Sequence, residues 1–228
     1  MEIIGIMGAM PDEVDQLCRR LRDVTVDPYG GVEYHKGFLG NTEVVVCCAG
    51  MGKANAAATT QVLITRYGAG RIIFSGIAGN MTDKIGIGDV VIGSRVIYHD
   101  AEISMICQSA PFLREYKGDE ALVAAAQAAC NACGVKSLVG TIATGDTFVG
   151  DAETKKAIEA KCSPDCVEME GAAVSQIAAK NGVPCVVLRA MSDNADEEGH
   201  QLLVVKKFSI AEYVSTATNI VANMLERL

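Results

Sequence analysis

The sequence carries no surplus of positive charge: 20 lysines and arginines stand against 28 acids, a formal net charge of −8. A nucleic acid or an anionic membrane surface would be repelled at long range, so neither is the expected partner, and a small molecule is the better one. Long hydrophobic runs are also missing. The opening Met1-Glu2-Ile3-Ile4-Gly5-Ile6-Met7 has no basic start and is too short for a signal peptide or a membrane span, so no targeting outward is expected. No histidine accompanies the two close cysteine pairs, Cys130/Cys133 and Cys162/Cys166. The first pair lies in an alanine-rich run that reads as a helix, whereas structural zinc pairs usually sit on turns, so neither pair is expected to hold a metal. Internal repeats and low-complexity stretches are absent too.

What is present is a chain of 228 residues, half of them apolar, without a break in composition. That supports a substantial core and one domain over residues 1–228. Nine cysteines, an odd number spread over the whole length, fit a reducing cytoplasm better than a disulfide framework.

Short apolar runs alternate with helical patterns. Glu2 to Met7 reads as a strand, and Pro11-Asp12-Glu13 opens a helix in which Val14, Leu17, Cys18 and Leu21 share a buried face. Glu13 falls off that face, where an acid commonly just complements the helix dipole at the surface. Glu33 to Phe38 and Glu43 to Cys48 form a hairpin about Gly40-Asn41. Ala49-Gly50-Met51-Gly52-Lys53 leads into a helix from Ala54 to Tyr67. It is no phosphate loop, which would need glycine at Cys47 and Ser or Thr at Ala54, and no dinucleotide fingerprint, because Asn55 replaces the third glycine.

Arg71 to Ser75 is the next strand and runs into a glycine-rich turn, Gly76-Ile77-Ala78-Gly79-Asn80. Asp89 to Tyr98 is another, ending at His99-Asp100, where the histidine reads more readily as a structural hydrogen-bonding group than as a catalyst. Glu102 to Gly118 keeps no period and reads as a loop. A helix from Asp119 to Cys133, a strand from Ser137 to Thr144 and a helix around Glu153 to Lys161 follow. Cys166-Val167-Glu168-Met169-Glu170-Gly171 puts two acids at a strand end before a helix that runs to Asn181. Pro184 to Arg189 is the last strand, ending in Ala190-Met191-Ser192-Asp193, and Lys207 to Leu228 is a closing amphipathic helix. This order predicts an α/β fold, a three-layer α/β/α sandwich on a mixed, largely parallel sheet. Ligands of such folds collect at the carboxyl ends of the strands, where these acids and glycines gather.

Taken together, Gly8-Ala9-Met10-Pro11-Asp12-Glu13-Val14, Gly50-Met51-Gly52-Lys53, Ser75-Gly76-Ile77-Ala78-Gly79, Gly86-Ile87-Gly88-Asp89-Val90-Val91, Tyr98-His99-Asp100, Thr144-Gly145-Asp146-Thr147-Phe148, Val167-Glu168-Met169-Glu170 and Arg189-Ala190-Met191-Ser192-Asp193 resemble the bacterial 5′-methylthioadenosine/S-adenosylhomocysteine nucleosidases. These belong to the purine nucleoside phosphorylase superfamily. The resemblance implies a nucleoside phosphorylase-like fold, a homodimer, no cofactor or metal, and hydrolysis of the N-glycosidic bond of adenine 5′-thionucleosides with water as co-substrate. It implies Asp193 as the acid at adenine N7, Glu13 as the base for water, and Glu170 with Met169 as ribose holders. Phe148 would stack on adenine, the backbone at Val149 would read its edge, and Ala78 and Gly79 would form a close wall. Ser192 and Arg189 would support Asp193, and Glu168 would be a supporting acid. Ala9, Met10, Met51 and Ile77 complete the implied pocket.

The chemistry suits these residue types. Cleavage builds positive charge on the sugar while the leaving base takes up negative charge, so one carboxyl donates a proton and another aids water. Asp193 is therefore expected to be partly protonated by burial and Glu13 ionised. A phosphorylase would need arginines for phosphate, whereas the first junction offers Glu13, and a nucleoside sensor would need neither acid nor base. The chain departs from the family pattern at Ile77, where many relatives carry serine, and at Ile106, where an aromatic is often found. A pocket residue from the last helix falls on Leu203 or Phe208.

Overall fold

The structure, a computed structural model, describes residues 2–201 and 211–228. In order the chain forms β1 (Ile3–Gly8), α1 (Pro11–Cys18), β2 (Arg22–Tyr29), β3 (Val32–Leu39), β4 (Thr42–Cys48), α2 (Lys53–Thr65), β5 (Ala69–Asn80), β6 (Val90–Tyr98), α3 (Ile103–Ile106), β7 (Tyr116–Lys117), α4 (Glu120–Ala132), β8 (Ser137–Thr144), α5 (Ala152–Cys162), β9 (Cys166–Glu168), α6 (Gly171–Lys180), β10 (Cys185–Asp193), α7 (Glu197–His200) and α8 (Ala211–Leu225). Leu203, Lys207 and Phe208 lie outside the described residues.

Strand alternation divides the core. Ile4, Ile6, Val44, Val46 and Ile73 face Val14 and Leu17 of α1 and Ile220, Val221 and Met224 of α8. Their neighbours Met7, Val45, Cys47, Ile72 and Phe74 face Ala56 and Leu63 of α2 and Ala172 to Val174 of α6. Because central strands are covered on both faces, they read as continuous apolar runs rather than alternating ones. Each buried Val, Leu, Ile, Met or Phe among them contributes roughly 1.5–3 kcal/mol by leaving water. Helix α4 buries Leu122, Ala125, Ala126, Ala129 and Cys130, the i, i+3, i+4, i+7, i+8 stripe of an amphipathic helix. These layers form the α/β sandwich with a mixed sheet that the order of elements predicts.

Two features of the sheet differ from the expectation. Parallel pairs (β1/β4, β1/β5, β5/β10, β6/β8, β8/β9) are matched in number by antiparallel ones (β2/β3, β3/β4, β5/β9, β6/β7, β6/β10), so the sheet is mixed without a parallel majority. The sheet also closes on itself. Strand β10 pairs with both β5 and β6, and β6, β8 and β9 lead back to β5, giving a ring of five strands from which β1, β4, β3 and β2 extend.

The glycine-rich stretch read as a turn, Gly76 to Asn80, is strand: β5 continues through it, paired to β10 and then to β9. Its glycines serve close approach. A Cβ at Gly76 would drive into Arg189 Nη1 and come within 2.5 Å of Glu13 Oε1, so only glycine fits. The unpatterned stretch from Glu102 to Gly118 holds the short helix α3 and strand β7. Strand β2 is an exposed edge with no buried side chain, and so shows no apolar alternation.

Candidate active site

Six strands deliver their carboxyl ends to one cavity of about 390 Å3. Ala9, Met10 and Glu13 enter from the β1–α1 junction, Met51 from the β4–α2 junction, and Ile77, Ala78 and Gly79 from the end of β5. Phe148 and Val149 come from the turn after β8, Glu168, Met169 and Glu170 from β9 and the entrance of α6, and Arg189, Ser192 and Asp193 from β10. Apart from Ile106, every residue implied for the site that lies among the described residues thus lines this cavity. Asp12, Thr147 and Val167 line it as well and were missed, although each sits inside a stretch that carried the resemblance. Ile106 does not line it.

Glu13 is buried, not a surface acid. Pro11 starts α1 and places Glu13 in its first turn, where Oε2 accepts the N–H groups of Ala9 (2.6 Å) and Met10 (3.0 Å). Across the cavity floor Oε1 accepts from Ile77 N (3.0 Å). All three contacts are donors to a carboxylate and favour its ionised form. Burial nevertheless pushes the Glu13 carboxyl above its usual value, against Arg189 and those N–H groups. Glu13 is expected to be ionised and Asp193 partly protonated; burial pushes both carboxyls up, Glu13 against Arg189 and three backbone N–H groups and Asp193 against Ser192 and Ala195.

Arg189 was expected to support Asp193, and the geometry corrects this. The guanidinium, 1% exposed, pairs with Glu168 and with Glu170 Oε2 (3.3 Å), donates to Ile77 O (3.4 Å) and lies 4.3 Å from the Phe74 ring centre. Register explains it: Arg189 stands opposite Gly76 on β5. Burial works against its charge, but Glu168, Glu170 and Glu13 hold it above its ordinary value. Asp193 is held instead by Ser192 Oγ, which donates to Oδ2 (2.8 Å), and by Ala195 N at Oδ1 (2.8 Å). Burial pushes its carboxyl up, with those two hydrogen bonds opposing.

The two glutamates of β9 and its exit differ in occupancy. Glu168 accepts from Thr144 Oγ1, Arg189, Glu170 N (3.1 Å) and Gly171 N (2.7 Å), which uses its lone pairs within the protein. Among the described residues Glu170 accepts only Gly52 N (2.8 Å) and the longer Arg189 contact, which leaves capacity for a ligand. Three carboxyls thus face one guanidinium away from water. Burial first, and then the neighbouring Glu168 charge, push Glu170 up to about 7 against Arg189 and Gly52 N.

Half-buried Phe148 borders the cavity and meets His200 edge-on at 5.6 Å. His99 lies outside the cavity with its ring against Gly145, and its Nε2 has no partner among the described residues. The Nε2 side of the ring thus makes no structural hydrogen bond among the described residues, and Asp100 pairs with Lys53 (2.8 Å). Among the described residues no cluster of His, Cys, Asp or Glu could hold a metal ion, and no helix is long and apolar enough to cross a membrane.

The Glu170 shift predicts a stability profile. A carboxyl that holds its proton more tightly when folded contributes stability fully present below its ordinary value of 4.5, and this is lost as pH rises through about 7. The urea midpoint of the ligand-free protein is expected to fall across that window, and Glu170→Gln to remove part of the fall. An unchanged slope in the variant would refute the assignment to Glu170.

A family model of the phosphorylase superfamily matches residues 3–226. The chain is 40% identical over 205 residues to a 5′-methylthioadenosine/S-adenosylhomocysteine nucleosidase of Shewanella piezotolerans, covering 86% of this chain and 87% of the relative. It is 35% identical over 202 residues to an aminodeoxyfutalosine nucleosidase of Helicobacter pylori, with the same coverage. The solved 5′-methylthioadenosine/S-adenosylhomocysteine nucleosidase of Neisseria meningitidis, in complex with methylthio-immucillin-A, superposes with a TM-score of 0.93 at 28% identity over the whole of both chains. Matched over nearly its full length, the chain belongs to the phosphorylase superfamily, as a hydrolase of its nucleosidase group.

Proposed function

We propose that the protein hydrolyses the N-glycosidic bond of adenine 5′-thionucleosides, 5′-methylthioadenosine and S-adenosylhomocysteine, releasing adenine and the 5-thioribose product. The observation that carries this reading is the pair of buried acids lining one cavity by different tethers: Glu13 on three backbone N–H groups and Asp193 on Ser192 and Ala195. Asp193, its proton retained by burial, donates to adenine N7 and makes a poor leaving group a neutral base. Glu13 orients the attacking water and takes its proton. Glu170 accepts the ribose hydroxyls beside Met169, and the excess of carboxyls over guanidinium stabilises the positive charge that builds on the sugar. Phe148 stacks on the base, and the backbone at Val149 reads its edge.

Water is favoured over phosphate as the acceptor because Arg189 is the only cation among the described lining residues, and Glu168 and Glu170 occupy it. Aminodeoxyfutalosine is a second substrate reading, favoured by the 35% identity to the Helicobacter pylori enzyme. Exposed Met105 and Phe112, 64% and 69% accessible, support a homodimer in which residues 103–112 reach the neighbouring site.

Adenine release is expected at the same rate with and without phosphate, and a strict phosphate requirement would overturn hydrolysis. With the same preparation, kcat/KM for methylthioadenosine, S-adenosylhomocysteine, 5′-deoxyadenosine, aminodeoxyfutalosine and adenosine ranks the substrates. Its mass in solution, expected at twice the 24.0 kDa chain, tests the dimer.

A further inference from the structure

Helix α2 begins without a side-chain cap, because its N-cap is Gly52, at φ 93° and ψ 158°. Its first N–H groups are instead capped by acids from other strand ends. Gly52 N donates to Glu170 Oε1 (2.8 Å), and Lys53 N donates to Asp146 Oδ1 (2.9 Å). The Lys53 side chain then folds over the same turn. Its Nζ reaches both oxygens of Asp100 (2.8 Å each) and Asp146 Oδ2 (3.3 Å), and sits 5.6 Å from the Tyr98 ring centre. Asp100 closes the cycle by accepting Asp146 N (2.9 Å).

One cation and two carboxylates therefore join three separate strand exits: those of β4, β6 and β8. None of the three lines the cavity, yet Lys53 and Asp146 are each tied to a residue that does, and Asp100 joins the two. Lys53 follows Gly52, whose N–H holds Glu170, and Asp146 precedes Thr147 and Phe148. Lys53 and Asp100 keep side-chain exposures of 24% and 27%, so the pair is screened less than an open surface bridge.

We propose that Lys53 is a positioning residue for substrate binding, which locks the Gly52 N–H onto Glu170 and the turn carrying Phe148 onto the cavity rim through Asp100 and Asp146. This rests on the reading of Glu170 as the ribose holder. The acid and base of the reaction stand on β10 and α1, outside the latch, so its loss weakens binding rather than the bond-breaking step.

Lys53→Met is the test, read beside Lys53→Arg and Glu170→Gln with methylthioadenosine as substrate. Lys53→Met is expected to raise KM about tenfold, the worth of one hydrogen bond to a charged group, with kcat within about twofold of wild type. The acid limb of its kcat/KM profile moves to higher pH, because Glu170, still facing Arg189, Glu168 and Glu13, loses the Gly52 donor that favours its anion. Lys53→Arg, which can still reach both aspartates, restores most of the KM. A merely structural role would lower the melting temperature and leave KM and the pH limb of the folded fraction in place, which overturns the proposal. Unchanged KM in Lys53→Met beside a raised KM in Glu170→Gln overturns the latch alone, whereas unchanged KM in Glu170→Gln overturns the ribose reading and the latch with it. If Lys53→Met does not fold, Asp146→Asn, which keeps a capping oxygen for Lys53 N and removes the charge facing Nζ, carries the same expectations.

Discussion

Asp193→Asn is expected to lower kcat by roughly 10²–10⁴-fold, the usual worth of a positioned proton donor. Asparagine has nearly the same volume, and its carbonyl can still accept from Ala195 N in place of Oδ1. Its amide then faces Ser192 Oγ, which can turn its own proton toward Ala78 O (3.3 Å away) and accept. The variant is therefore expected to fold, to melt within a few degrees of the parent and to bind a non-hydrolysable adenine nucleoside analogue. Only the transferable proton is gone. Because burial raises Asp193, the parent keeps that proton above the usual aspartate range and loses activity on the alkaline side as it dissociates. A variant with parental kcat would remove Asp193 from the acid role.

Glu13→Gln is expected to cost on the order of 10²–10³-fold in kcat, with binding of the same analogue retained. Here the substitution also touches the fold. Glutamine can offer its oxygen to Ala9 N and Met10 N, but its amide then meets Ile77 N, donor against donor. That unsatisfied contact costs about 1–3 kcal/mol, seen as a lower melting temperature. Saturating substrate on the folded fraction separates the two effects. A change confined to KM would count against Glu13 as the group that activates water.

The acids at strand ends were legible because charge in a short apolar run before a helix is poorly explained by packing, and Glu168, Glu170 and Asp193 all stand in such places. Glu13 was harder. As an acid in the first turn of a helix opened by Pro11 it has an adequate local explanation, and its bond to Met10 N does serve the helix start. The third contact, to Ile77 N on another strand, separates a buried acid from a surface one, and it depends on the pairing of β1 with β5.

Arg189 shows the same limit. The resemblance implied a partnership with Asp193, whereas the register of β10 on β5 sets Arg189 opposite Gly76, beside Glu168 and Glu170, and an irregularity between Met191 and Asp193 breaks the alternation that would keep both on one face. The glycines of β5 read as a turn because their composition is that of a turn. Their cause lies more than a hundred residues away, in the guanidinium that fills the space over Gly76. Strand β2 escaped notice because it packs on one neighbour and leaves most side chains in water.

The ring of five strands also bears on when the protein becomes competent during synthesis. Its closing member, β10, is the last strand among the described residues, and it inserts between β5 and β6, which precede it by about a hundred residues. Contacts so distant along the chain form late and slowly. The same strand brings Arg189 and Asp193, so the step that completes the barrel also delivers the proton donor and the cation that offsets the buried glutamates. A nascent chain stalled before β10 would lack both Arg189, the cation that pairs with Glu168 and Glu170, and Asp193, the proposed proton donor.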